Sequence, residues 1–252
     1  MTDTAYVTTS HSNGIATIEF FHPAHNSLPS VILSDLAAAI KEAGEDESAR
    51  VIVLQSGGDR TFCAGASFTE LLTIEDAEGG FTFFSGFANV INAMRCCPKF
   101  VIARVQGKAV GGGVGLAAAA DYCMATKYAS AKLSELAIGI GPFVVGPAVE
   151  RKLGLSAMSQ MTVDADTFYD AQWALEKGLY TEVFDTIEAL DEAVARMADT
   201  LSGYNPEAMA ELKQIFWQGT DHWDTLLSER AKVSGRLILS QLTRNKLAKY
   251  AS

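Results

Sequence analysis

Short, almost wholly apolar runs recur along this chain with helical segments between them, and that alternation limits its fold more than any other feature. VIVLQS (51–56), FVIARVQ (100–106) and YCMAT (122–126) read as short buried strands, the first ended by glycines. GIATIEFF (14–21) alternates, which places Ile18 and Phe20 on one face of a strand, and YTEVF (180–184) reads as a later one. SVILSDLAAAIKEAG (30–44) reads as a helix, with Ser30 as its expected N-cap and Gly44 as its expected stop. Strands alternating with helices predict an α/β domain with mostly parallel pairing.

The pattern changes near Ala189. ALDEAVARMADTLSG, NPEAMAELKQIFWQG and WDTLLSERAKVSGRLILSQL read as amphipathic helices with no strand between them, and Asn205-Pro206 is a clean helix start. The expected division is a core domain over 1–195 and a helical subdomain over 196–252. A chain of 252 residues is long enough for both.

Charge and cysteine usage remove several function classes. A net charge of −10 argues against nucleic acid, whose binding needs clustered Lys and Arg. Residues 230–252 carry six basic side chains and no acidic one, and read as a solvated helix face. The longest apolar run, Val110 to Ala120, falls far short of the ~20 residues of a membrane span. MTDTAYVTTSHSNG has no signal-peptide pattern. Cys63, Cys96, Cys97 and Cys123 form no CxxC pair and no metal-ligand spacing with the four histidines. Reduced thiols in a cytoplasmic protein, with no metal, are the expectation.

The chemistry concentrates in VQGKAVGGGVGLAAAADYCMATKYASAKLSELAIGIGP (105–142), where a glycine triple leads into a helix and Glu135 stands in a nearly uncharged stretch. Three readings of the glycines compete. Gly113, Gly115 and Ala118 fit a dinucleotide fingerprint, but the acid that should end the next strand lies about ten residues beyond it. A purely structural turn is the second. The third is an anion site: a helix N-terminus offers free N–H groups and positive potential. DRTFCAGASF supplies a second small-residue loop after a buried strand, and so a second donor for one oxygen.

These segments resemble the crotonase, or enoyl-CoA hydratase/isomerase, family. The likeness is carried by HPAHNSL, FCAGASF, VQGKAVGGGVGLAAAAD, SELAIGIGP and NPEAMAELKQIFWQG, in order along nearly the whole chain. It implies a spiral of repeated ββα turns, with a C-terminal helical region that assembles homotrimers or hexamers (dimers of trimers). Ile215, Phe216, Trp217, Leu237 and Leu239 are the side chains expected at that assembly surface.

Carried onto this sequence, the resemblance implies N–H groups of Ala66 and Gly112 holding a thioester oxygen, with Glu135 as acid/base. The CoA thioester would lie along Ala24, His25, Ala64, Gly65, Ser67 and Phe68, with Gly113, Pro142 and Phe143 beside it. No separate cofactor is implied, since coenzyme A enters with the substrate. Lys213 matches a lysine of the family's C-terminal helix, with an exposed helix charge as the alternative. Cys63 reads as a small packed residue.

One departure stands out. The best-known hydratases carry two glutamates, and the first position is Gly115 here; Pro142 is followed by the bulky Phe143, Val144 and Val145. One carboxylate suits a double-bond isomerase, yet GGGVGL with LSELAIGIGPFVV is similar to bacterial methylglutaconyl-type hydratases. Hydratase is the favoured expectation; isomerase and an acyl-CoA-binding homologue without turnover are the alternatives.

Overall fold

A computed structural model describes residues 4–250. Its elements follow a repeating order. The first turn comprises β1 (Tyr6–Ser12), β2 (Ile15–Phe21), β3 (Ser27–Leu28) and α1 (Ser30–Glu45). The second comprises β4 (Val51–Ser56), β5 (Thr61–Cys63), β6 (Gly65–Ala66), α2 (Phe68–Thr73) and α3 (Ala77–Cys96). The third is β7 (Val101–Val105), β8 (Lys108–Val110) and α4 (Gly112–Ala119). The fourth is β9 (Tyr122–Thr126), β10 (Ser130–Lys132), α5 (Gly146–Val163), β11 (Tyr169–Asp170) and α6 (Ala171–Glu176). After β12 (Glu182–Phe184) come α7 (Ile187–Ser202), α8 (Pro206–Phe216), α9 (Trp223–Leu237) and α10 (Gln241–Leu247).

The first turn gives β1 and β2, each later turn one long strand and the chain then β12, to form a six-stranded sheet of order β1-β2-β4-β7-β9-β12. The short strands build a second sheet, β11-β10-β8-β5, and β3 pairs with β6 in a third. Pairing within the main sheet is parallel apart from the β1–β2 hairpin. Repeated β-β-α turns therefore coil into a spiral, as expected.

The apolar runs are explained by burial on both faces. Successive strand side chains point to opposite sides, so Ile52, Leu54, Val101, Ala103, Cys123 and Ala125 enter the main core. Val51, Val53, Ile102 and Met124 pack on Leu190, Ala193, Val194 and Ala198 of α7 instead. The expected division at residue 196 falls inside α7, whose apolar face is the cover of the main sheet.

Three local expectations need correction. Ser30 is the first residue of α1, not its cap: the Glu70 carboxylate accepts from both its N–H and its hydroxyl, so that Pro29 stands at the N-cap position. Gly44 is buried within the helix, where a side chain would meet Cys97, and the helix runs on to Glu45. The last predicted helix is two, because the Ser240 hydroxyl accepts from the Thr243 N–H and starts α10. Asn205 does cap α8, accepting from Glu207 and Ala208.

The C-terminal basic residues are not simply solvated. Arg230, Arg244 and Lys246 donate to the carbonyl oxygens of Phe143, Ile74 and Ala137, tying α9 and α10 to loops of the core. The last two residues of that basic segment lie outside the described residues. Among the side chains expected at an assembly surface, Trp217 packs edge-on against Trp223 within the chain, and Leu237 and Leu239 are partly buried on the core. Ile215 and Phe216 remain about half exposed, at 53% and 49%. Among the described residues no helix is long and apolar enough to cross a membrane.

Candidate active site

Buried α4 organises the site. All eight of its residues are out of solvent, so its N-terminus opens into the interior of the protein. Gly111 precedes it at φ +52°, a conformation that L side chains rarely adopt, and its carbonyl accepts from the N–H groups of Val114 and Gly115. The N–H groups of Gly112 and Gly113 are then among the helix-start donors left without an intrahelical partner.

The second donor loop lies against this helix start. Gly65 has φ +84°, and a Cβ there would fall 2.8 Å from the Val110 carbonyl oxygen and 3.5 Å from the Gly112 nitrogen. In a parallel ladder successive N–H groups point to alternate sides. The Ser67 N–H goes to the Leu28 carbonyl, so that of Ala66 turns away from β3. Cys63 is fully buried, and burial pushes its thiol up to about 12, which removes it as a nucleophile.

Glu135 arrives from the turn after β10. Its carboxyl lies over Gly111, where a side chain would come within 3.0 Å of Oε1. The residue as a whole is half-buried, but its Oε2 is out of solvent and has no hydrogen-bond partner. Desolvation raises the carboxyl to about 7, opposed only by a bond to its own backbone. Lys132, the basic residue nearest Glu135 in sequence, faces Asp166 at 4.0 Å and the ring of Phe168.

The buried carboxyl has a consequence for stability. Between 4.5 and about 7 the folded chain holds a proton on Glu135 that the unfolded chain releases. Stability is therefore greatest at acid pH on this account and falls as pH rises through about 7. Glu135→Gln, neutral throughout, is expected to melt above the wild type near pH 8 and level with it near pH 4. Parallel melting curves across that range would show that the carboxyl is not desolvated.

Ala64, Gly65, Ala66, Phe68, Gly112, Glu135, Pro142 and Phe143 all line one narrow cavity of about 40 Å³, room for only a few waters. The other expected site residues stand outside it. Ala24 and His25 are exposed on a loop that Asn26 ties to the carbonyls of Gly57 and Thr61, with the Ala64 N–H donating to His25. The Ser67 hydroxyl caps α2, and Gly113 packs on Cys63. Lys213 is neither an exposed charge nor a free ligand group: it is 2% exposed, 2.8 Å from Asp121 and 2.6 Å from the Lys99 carbonyl.

Phe84, Phe87, Ser134, Ile138, Ile140, Val144, Val145 and Ser234 also line the cavity, beside Gly111 and Gly141, and sequence reasoning gave none of the eight a site role. Phe84 and Phe87 sit at ordinary helix-core spacing, and Ser234 lies far along the chain, so no local signal marks them. A wider groove of about 470 Å³ runs between β1–β2 and α7. Within it Tyr6 and Gln55 donate to Glu19, and Arg104 pairs with Asp191.

The space beside Gly115 is filled. A Cβ there would lie 2.6 Å from Cγ1 and 2.8 Å from Cβ of Val145. Gly115→Glu is expected to cost at least ~1–3 kcal/mol through overpacking, read as a lower melting temperature, with Val145→Gly in the same chain recovering most of it. A Gly115→Glu chain as stable as the wild type would disprove the blockage.

The enoyl-CoA hydratase/isomerase family model matches residues 10–240. Carnitinyl-CoA dehydratase of Proteus mirabilis is 30% identical over 197 residues, 77% of this chain and 73% of its own length. Mitochondrial methylglutaconyl-CoA hydratase of Mus musculus is 30% identical over 200 residues, 78% of this chain and 63% of its own. Among solved structures, enoyl-CoA hydratase from Bacillus halodurans superposes with a TM-score of 0.88 at 21% identity, covering 97% and 99% of the two chains. Enoyl-CoA hydratase from Mycobacterium smegmatis gives 0.80 at 29%, covering 85% and 83%.

Proposed function

The chain belongs to the enoyl-CoA hydratase/isomerase family, and from that premise we propose that it adds water across the double bond of a short 2-enoyl-CoA thioester. The observation that carries this reading is a carboxyl with one unpaired, solvent-free oxygen in an apolar cavity beneath a helix N-terminus. In the proposed reaction the Ala66 and Gly112 N–H groups hold the thioester oxygen as it gains charge. Donors held in place before the reaction stabilise an enolate without reorganisation. Glu135 passes a proton between water and Cα, and a pKa near 7 suits both directions of transfer.

Coenzyme A would run along Ala64–Phe68 and the Ala24–His25 loop, entering as part of the substrate with no separate cofactor. The narrow cavity supports a short acyl group, of which methylglutaconyl is one candidate. The half-exposed stripe Leu212, Ile215 and Phe216 on α8 supports assembly into trimers or their dimers.

The filled space at Gly115 favours a second reading, a 3-enoyl to 2-enoyl isomerase, because one carboxylate is enough to move a proton between two carbons. Turnover of crotonyl-, methylglutaconyl- and 3-enoyl-CoA in D₂O separates the two. A hydratase puts oxygen on Cβ and deuterium on Cα, whereas an isomerase shifts the double bond and adds no oxygen. Tight acyl-CoA binding with neither product would overturn both.

A further inference from the structure

Among the described residues, Glu135 is the sole titratable side chain lining the cavity, and the remaining polar ones there are the hydroxyls of Ser134 and Ser234. Ser134 shares the loop of Glu135 and is partly exposed, whereas Ser234 is 1% exposed and comes from α9. Its position follows from a helix crossing without side chains. Gly80 of α3 and Gly235 of α9 meet so closely that a Cβ on Gly80 would fall 2.6 Å from the Gly235 Cα. One on Gly235 would fall 2.5 Å from the Phe81 nitrogen. This contact sinks α9 against the helix that carries Phe84 and Phe87 and brings the neighbouring Ser234 into the cavity wall. Arg230, one turn earlier on the same face, donates to the Phe143 carbonyl and holds α9 to the opposite loop.

We propose that Ser234 orients the water that adds to Cβ, taking the place of a second acidic group that Val145 excludes beside Gly115. This rests on the hydratase reading above. A hydroxyl both donates and accepts, so it can hold a water without taking its proton. The water oxygen forms the bond to Cβ while its proton passes to the Glu135 carboxylate. The π electrons move to the thioester oxygen as an enolate. When the enolate collapses, Glu135 returns that proton to Cα, so one water is consumed and the carboxylate is regenerated. Ser234 ends as it began.

The experiment compares two reactions of the same chain: hydration of crotonyl-CoA, and deuterium uptake at Cα of butyryl-CoA in D₂O. The second needs Glu135 and the backbone donors but no added water. Ser234→Ala and Ser234→Cys are expected to lose at least ~10-fold in hydration, through misplaced water, and to keep their deuterium uptake. Cysteine preserves side-chain volume with a poor hydrogen-bonding group, which separates the hydroxyl from the packing. Unchanged hydration in either variant overturns the proposal, and so does an equal fall in both reactions. A wild type that does not hydrate overturns the hydratase reading and this proposal with it, whether or not it exchanges Cα deuterium. A wild type that hydrates while its Ser234 variants hydrate equally well overturns this proposal alone.

Discussion

Glu135→Gln is expected to bring kcat down at least ~100-fold, about 2.7 kcal/mol of transition-state stabilisation, while acyl-CoA binding stays close to that of the wild type. Glutamine keeps the side-chain length and can still hydrogen-bond, so the cavity beneath α4 retains its shape. It cannot accept and return a proton. Because the carboxyl is the cavity's sole titratable side chain among the described residues, none of these neighbours is placed to substitute for it. In the wild type kcat/KM should change through a group near pH 7, rising with pH where the carboxylate takes the proton from water. The residual rate of Glu135→Gln should lack that limb. Binding is checked by titration with a non-reactive saturated acyl-CoA. Hydration that survives intact would mean that another group does the chemistry.

Loss of the Gly112 N–H is expected to cost ~10²- to 10³-fold in kcat, the usual effect of removing one oxyanion donor. Substituting proline alone would not isolate it, because any Cβ at Gly112 would lie 2.1 Å from Cε1 of Phe87. The comparison is therefore made in a Phe87→Ala background, where that ring is absent. Gly112→Ala there keeps the N–H and is expected to stay within a few-fold of its parent, whereas Gly112→Pro deletes the donor and loses the larger factor. Circular dichroism checks that both variants fold, which is expected because proline is tolerated at the first position of a helix. Equal rates in the alanine and proline variants would remove Gly112 from the mechanism.

Much of this was legible locally. The apolar runs had to be strands covered on both faces, because no other short element buries every side chain. Glu135 stood out as a charge in an apolar segment, and desolvation of its carboxyl accounts for its raised pKa. Local reading failed where a distant group changed the balance. Ser30 lost its cap role to Glu70, forty residues away, and Lys213 was drawn inside by Asp121. The Arg and Lys of the C-terminal helices turned to carbonyls that only tertiary packing brings near.

Sequence alone therefore determined the α/β alternation, the two small-residue loops and the single carboxylate, because periodicity and glycine placement act over a few residues; the spiral came from the family resemblance. Only the tertiary structure decided what shares the cavity with that carboxylate. Val145 closes the space beside Gly115, and Ser234 enters across a crossing of two glycines 155 residues apart. Those are contacts between surfaces, set by which helices approach closely enough to exclude a side chain, and neither partner carries a local mark of the other.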